Sequence, residues 1–134
     1  MEVLYEVSAG IDVHRDIVVV SIRKRDARGK ELVETRTFET FHDSLVAMSG
    51  WLAEHGVQVV GLESTGVYWK PVVRVLQLGS GQRVLWLVNP AEVKKVPGRK
   101  TDVKDSEWLS KLVMHGLVSP SFLPPPELEE MRKL

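Results

Sequence analysis

The stretch "GIDVHRDIVVVSIRKR", Gly10 to Arg25, decides the fold. It carries a continuous apolar run from Ile17 to Val20 and then switches to polar residues, the pattern of a buried strand leaving the core. Working outward, the preceding segment reads as a first strand over about 5–13 and the run itself as a second over 16–25. "RKRDARGKEL" then offers Arg28-Gly29 as a hairpin turn. "LVETRTFET", Leu32 to Thr40, alternates as a third strand, placed at 31–40. Short connections make these three an antiparallel meander.

After Thr40 the period changes. "DSLVAMSGWLAEHG" sets Leu45, Met48, Trp51 and Leu52 at helical spacing, with Asp43 or Ser44 as cap and Gly56 as stop. "VQVVGLE" is a short buried strand at 57–62, and "YWKPVVRVLQLGSG" a helix that tolerates Pro71 only in its first turn. "QRVLWLVN" gives another strand at 83–88, and "NPAEVKKVPGRK" reads as a loop. A last helix spans 102–115, with Trp108, Leu109, Leu112 and Val113 on its apolar face and Gly116 at its end. The order βββαβαβα implies an α/β fold: a mixed five-stranded sheet with helices on both faces. The domain is placed at 1–118. Residues 119–134, "SPSFLPPPELEEMRKL", read as a proline-rich linker, with Pro126 opening a helix that leads to a further, C-terminal domain.

Composition limits the options. With 43% hydrophobic and 27% charged residues over 134 positions, one globular domain is expected rather than disorder. No apolar run approaches the roughly 18 residues of a membrane span. The N-terminus lacks the basic-then-apolar plan of a secretory signal. The absence of cysteine excludes disulfides and thiolate metal sites and fits a reducing cytoplasm. Eighteen acids balance eighteen bases, so any case for nucleic-acid binding rests on local clusters.

The acids form one such case. Asp12 ends the first strand, with Ile11 and Val13 on the opposite face. Glu63 follows the buried strand "VVGL". Asp102 and Asp105, read at i and i+3 of one helix, share a face with Cβ atoms about 5–6 Å apart. If the first and fourth strands are neighbours, a helix across their ends brings all four carboxylates together. Two unit charges 5 Å apart at an effective dielectric of 20 repel by roughly 3 kcal/mol, so such a cluster calls for a cation. Oxygen-only ligands suit Mg²⁺ or Mn²⁺, and a pair of such ions can assist phosphodiester cleavage. Taken singly, Asp102 reads more readily as a helix cap and Asp105 as a solvated first-turn acid. Asp12 reads equally as a turn residue and Glu63 as an ordinary loop carboxylate.

"GIDVHRD", "LESTGVYWKPVVRVL" and "VNPAEVKKVPGRKTDVKDSEWLSKL" together resemble the N-terminal domain of the DEDD transposases, the insertion-sequence recombinases guided by a bridge RNA. The resemblance covers about residues 7–125. It implies a RuvC-like domain of the ribonuclease H-like superfamily, with Asp12, Glu63, Asp102 and Asp105 as catalytic metal ligands for Mg²⁺, or Mn²⁺ in its place. It implies DNA and a guide RNA as partners, a homo-oligomer (dimer or tetramer), and a bacterial or archaeal cytoplasm. Ser106 stands where small Ala is common in the family. The family's nucleophilic serine lies in a second domain. Ser64, Ser106 and Ser110 do not match its motif, so this chain alone is expected to be inactive.

Lys94, Lys95, Arg99, Lys100 and Lys104 crowd the approach to the last two acids and suit phosphate contact. "RKRDARGK" reads as a solvated hairpin tip. Tyr68 and Trp69 read as anchors of their helix on the sheet, Trp51, Trp86 and Trp108 as core, and His14 and His115 as non-ligands. Two other functions compete. One is an RNA- or DNA-binding, self-associating module without activity. The other is an actin- or hexokinase-type nucleotide-binding domain, against which the glycine-free "DVHRDI" weighs.

Overall fold

The computed structural model describes residues 3–64, 66–79 and 83–119. The expected linker and helix over 119–134 lie outside them, apart from Ser119. Three strands, β1 (Val7–Val13), β2 (Ile17–Arg25) and β3 (Glu31–Glu39), form the meander. At its hairpin tip one Asp26 carboxylate oxygen accepts from the backbone N–H groups of Arg28 and Lys30. Gly29 there takes φ +82°, a left-handed conformation that a side chain would strain.

Then follow α1 (His42–Glu54), β4 (Val59–Ser64), α2 (Trp69–Leu78), β5 (Val84–Val88), α3 (Pro90–Lys95) and α4 (Asp105–Met114). The sheet order is β3-β2-β1-β4-β5. β1 pairs antiparallel with β2, and β4 runs parallel to both β1 and β5. The expected mixed five-stranded sheet is therefore present.

Period-two alternation sends the strands' side chains to two different cores. Ile11, Val13, Val20, Ile22 and Leu62 meet Leu45, Met48 and Leu52 of α1 and Val72 and Leu76 of α2 on one face. Val59 and Val88 meet Trp108, Leu109, Leu112 and Val113 of α4 on the other. The α4 face is small where the helix crosses it. Ser8, Gly10, Gly61 and Ser21 line the crossing, and a Cβ at Gly10 would lie 2.5 Å from the Ser110 backbone nitrogen. Ser8 Oγ donates to the Ser110 carbonyl at 2.8 Å, and the Ser21 and Ser106 hydroxyls bond at 2.8 Å. Here glycine in a strand marks close approach of another backbone. Arg23 closes the far end of this seam: it pairs with Glu31 at 2.6 Å and donates to Ser110 Oγ and the Glu107 carbonyl, both at 3.1 Å.

Three expectations change. The segment after β5 is not all loop. Asn89 caps α3 by accepting from Ala91 N–H at 2.9 Å, and Pro90 takes the first position, where its missing N–H costs nothing. The last helix does not begin at Asp102. Lys104 is its extended N-cap, and Asp102 lies in the preceding turn. Val103 causes the break: it packs into the α4 core that holds Trp108, five residues on, as in a hydrophobic staple. Lastly, neither Asp43 nor Ser44 caps α1. Phe41 is its N-cap, and Ser44 Oγ accepts from Glu39 N–H instead. Gly56 ends that helix with φ +69°, as expected.

Candidate metal centre

Parallel pairing puts Asp12 directly beside Glu63 in the β1–β4 register. Both lie two residues beyond the glycines under α4, so both carboxylates share the α4 face at the carboxyl ends of their strands. Asp105 opens α4 above them. Asp12, Asp105, Ser106, Arg99, Lys104, Val19 and Thr37 line an open cleft of about 370 Å³.

Three of the four acids thus converge. Burial, and next to it the charges of Asp105 and then Asp12, hold the Glu63 carboxyl above the usual glutamate range. Arg99 and Lys94 offset part of that shift. Asp102 is exposed in its turn and is not brought onto one helix face with Asp105, so the expected i, i+3 pair does not form. Two acids have side-chain partners supplied by the chain. His14 Nε2 lies 3.1 Å from Asp12 Oδ2, and Arg99 Nη2 lies 2.6 Å from Asp105 Oδ1. Among the described residues, no three carboxylates or imidazoles are grouped closely enough to hold an ion as they stand. The donor chemistry nonetheless fits a hard divalent cation, being all carboxylate oxygen. The crowding at Glu63 is also what a cation would relieve.

The other residues singled out fall as follows. Lys94, Lys95, Arg99, Lys100 and Lys104 are all exposed; Arg99 and Lys94 lie near enough to act on Glu63, and Arg99 and Lys104 line the cleft. Trp51 and Trp108 are core, and Trp86 packs edge-on against Tyr5. Trp69 packs on the α1–α2 core, whereas Tyr68 is 42% exposed and does not anchor its helix by burial. His115, at the α4 C-cap, is buried 3.9 Å from Glu31. Sequence reasoning missed the His14 and Arg99 pairings. The spacing Asp12-x-His14 on a strand end was the one available signal for the first.

A three-strand meander continued by parallel strands, with a helix laid across the sheet, is the plan of a RuvC-like, ribonuclease H-like fold. RuvC of Thermus thermophilus shares it: the structure in complex with Holliday junction substrate aligns over 87% of this chain and 100% of that one, with 12% identity and TM-score 0.55. A second Thermus thermophilus RuvC structure aligns over 86% and 99%, with 12% identity and TM-score 0.56. The chain belongs to the DEDD_Tnp_IS110 transposase family, whose model matches residues 9–134. No match is found among curated protein sequences. Among the described residues, no helix is long and apolar enough to cross a membrane.

Proposed function

We propose that this chain is the metal-dependent catalytic domain of a DNA transposase that acts on phosphodiesters during movement of an insertion sequence. The observation that carries this reading is the convergence of Asp12, Glu63 and Asp105 at one end of the sheet, in a chain of the transposase family. Asp12, Glu63 and Asp105 would hold Mg²⁺ or Mn²⁺, and Asp102 would complete the set by a movement of its turn. When bound, such an ion polarises the scissile phosphate and stabilises the leaving oxygen. The chain's own part is to aim the acids from rigid strand ends and to hold the DNA backbone through Lys94, Lys95, Arg99, Lys100 and Lys104. Residues 1–118 form the catalytic unit, and 119–134 lead to a domain that supplies a serine nucleophile. Without that domain the chain binds but does not cut. A guide RNA chooses the DNA by base pairing, and the complete protein works as a dimer or tetramer.

Calorimetric titration with Mn²⁺ tests the site. Binding should be present in the parent chain and lost in Asp12→Asn and Asp105→Asn. Binding indifferent to both substitutions sinks the reading. The open ligand geometry of the acids and the exposed lysines favour one alternative, a nucleic-acid-binding module without catalysis. A mobility-shift assay with structured RNA over a range of salt separates the two. Salt-sensitive binding that survives loss of all four acids, in a chain that binds no Mn²⁺, supports the module.

A further inference from the structure

Arg99 holds an oxygen of Asp105 at the mouth of the cleft. Gly98, at φ +102°, turns the chain so that Arg99 reaches forward over the next residues. Its guanidinium then spans two acceptors: Asp105 Oδ1 at 2.6 Å and the Val103 carbonyl at 2.7 Å, on either side of the α4 N-cap. The pair is open to solvent, with 35% of the Arg99 and 50% of the Asp105 side chain exposed. An ion pair so exposed is weakly held and readily exchanged. Arg99 and Lys104 also line the same cleft as Asp12 and Asp105.

We propose that Arg99 is a built-in surrogate cation, neutralising Asp105 until a divalent ion takes that carboxylate and then passing to a DNA phosphate. The proposal rests on the metal reading above and adds a switch to it. The same Asp105 oxygen cannot serve both the ion and the guanidinium at contact distance. Entry of the ion therefore breaks the pair, which weakens metal binding in the absence of nucleic acid. A planar guanidinium fits phosphate as well as carboxylate, with two parallel N–H donors in each case. A phosphodiester in the cleft offers Arg99 a replacement partner and removes the competition. Metal and DNA then strengthen each other's binding, and by linkage the gain is the same in both directions. The device discourages a charged, metal-loaded centre from forming away from its substrate.

The experiment compares the parent chain with Arg99→Gln and Lys104→Gln. Lys104 lines the same cleft, so its loss removes an equal charge from the field without removing the Asp105 pair. Mn²⁺ affinity is measured by calorimetry, alone and with a saturating short DNA duplex. Thermal unfolding without the ion confirms that each variant is folded. Without DNA, Arg99→Gln should bind Mn²⁺ about three- to fivefold more tightly than the parent. Lys104→Gln should gain less than about twofold, because solvent screens a charge that makes no contact. DNA should tighten Mn²⁺ binding in the parent and in Lys104→Gln, and this gain should disappear in Arg99→Gln. Equal behaviour of the two variants, or weaker Mn²⁺ binding by Arg99→Gln, overturns the switch and leaves the metal site standing. No Mn²⁺ binding by any of the three, with or without DNA, overturns the metal site and the switch together.

Discussion

Replacing Gly10 by alanine should move the whole of α4. The added Cβ would collide with the Ser106 carbonyl oxygen and lie 2.5 Å from the Ser110 nitrogen. Both neighbours are backbone, so no rotamer change relieves the contact. The helix must retreat by about 1 Å to restore ordinary van der Waals separation. Overpacking of this kind costs about 1–3 kcal/mol. The buried bonds Ser8–Ser110 and Ser21–Ser106, both 2.8 Å, stretch with it, at about 1 kcal/mol each. Against this, alanine restricts the unfolded chain and returns about 0.4–1 kcal/mol. The net loss is about 2–5 kcal/mol, which corresponds to a fall in Tm of roughly 10 °C or more in a domain of this size. Calorimetric unfolding measures it. Gly50→Ala is the control: Gly50 sits inside α1 with open space around its Cβ position, so that change should stabilise by about 0.5–1 kcal/mol. A Gly10→Ala chain that melts with the parent would refute the close-approach argument. Because α4 carries Asp105, the same variant should also bind Mn²⁺ more weakly.

Two further outcomes are expected. Glu63's folded-state carboxyl is raised above its unfolded value, so its contribution favours the fold at low pH and is lost as pH rises through the folded value. Glu63→Gln should therefore raise Tm at neutral pH, flatten the dependence on pH across that window, and abolish the stabilisation by Mn²⁺; thermal melts over a pH series check all three. Arg23→Ala strips a side chain only 11% exposed from Glu31 and from two acceptors on α4, at about 2–4 kcal/mol. Urea denaturation should show it, and Glu31→Ala added to it should cost less than the separate sum, since the stranded carboxylate is gone. An unshifted midpoint in Arg23→Ala contradicts the reading.

The parts legible in the sequence are those governed by long regular periods. The run Ile17–Val20 announced β2, and Leu45, Met48, Trp51 and Leu52 announced the buried stripe of α1. Trp108, Leu109, Leu112 and Val113 did the same for α4. The neighbouring positions of Asp12 and Glu63 also followed from strand ends once β1 and β4 pair. Features decided by tertiary contact were out of reach. α3 spans six residues, too few for a periodic signal, although Asn89-Pro90 carries a helix-start signature. The spacing Asp102-x-x-Asp105 looked like one helix face, but Val103, partly buried against the α4 core, precedes a helix that starts three residues later. Gly10 and Gly61 acquire a reason only once α4 is laid across them. The Arg99–Asp105 pair depends on the path of a loop, which no spacing rule specifies.

The seam between β1 and α4 also sets when the centre can exist. Ser8 and Ser110 are bonded across 102 positions of sequence. β1 meets β4 only after three other elements have been made. A chain growing from its N-terminus can close the meander early, since β1, β2 and β3 are joined by short turns. It holds Asp12 and Glu63 long before it holds Asp105. Contacts of such long span form late because loop closure must precede them. Half-made copies would therefore carry two of the acids on an uncovered sheet, with no helix over Gly10 and no third carboxylate. The cluster of acids would be among the last things this domain acquires as it is synthesised.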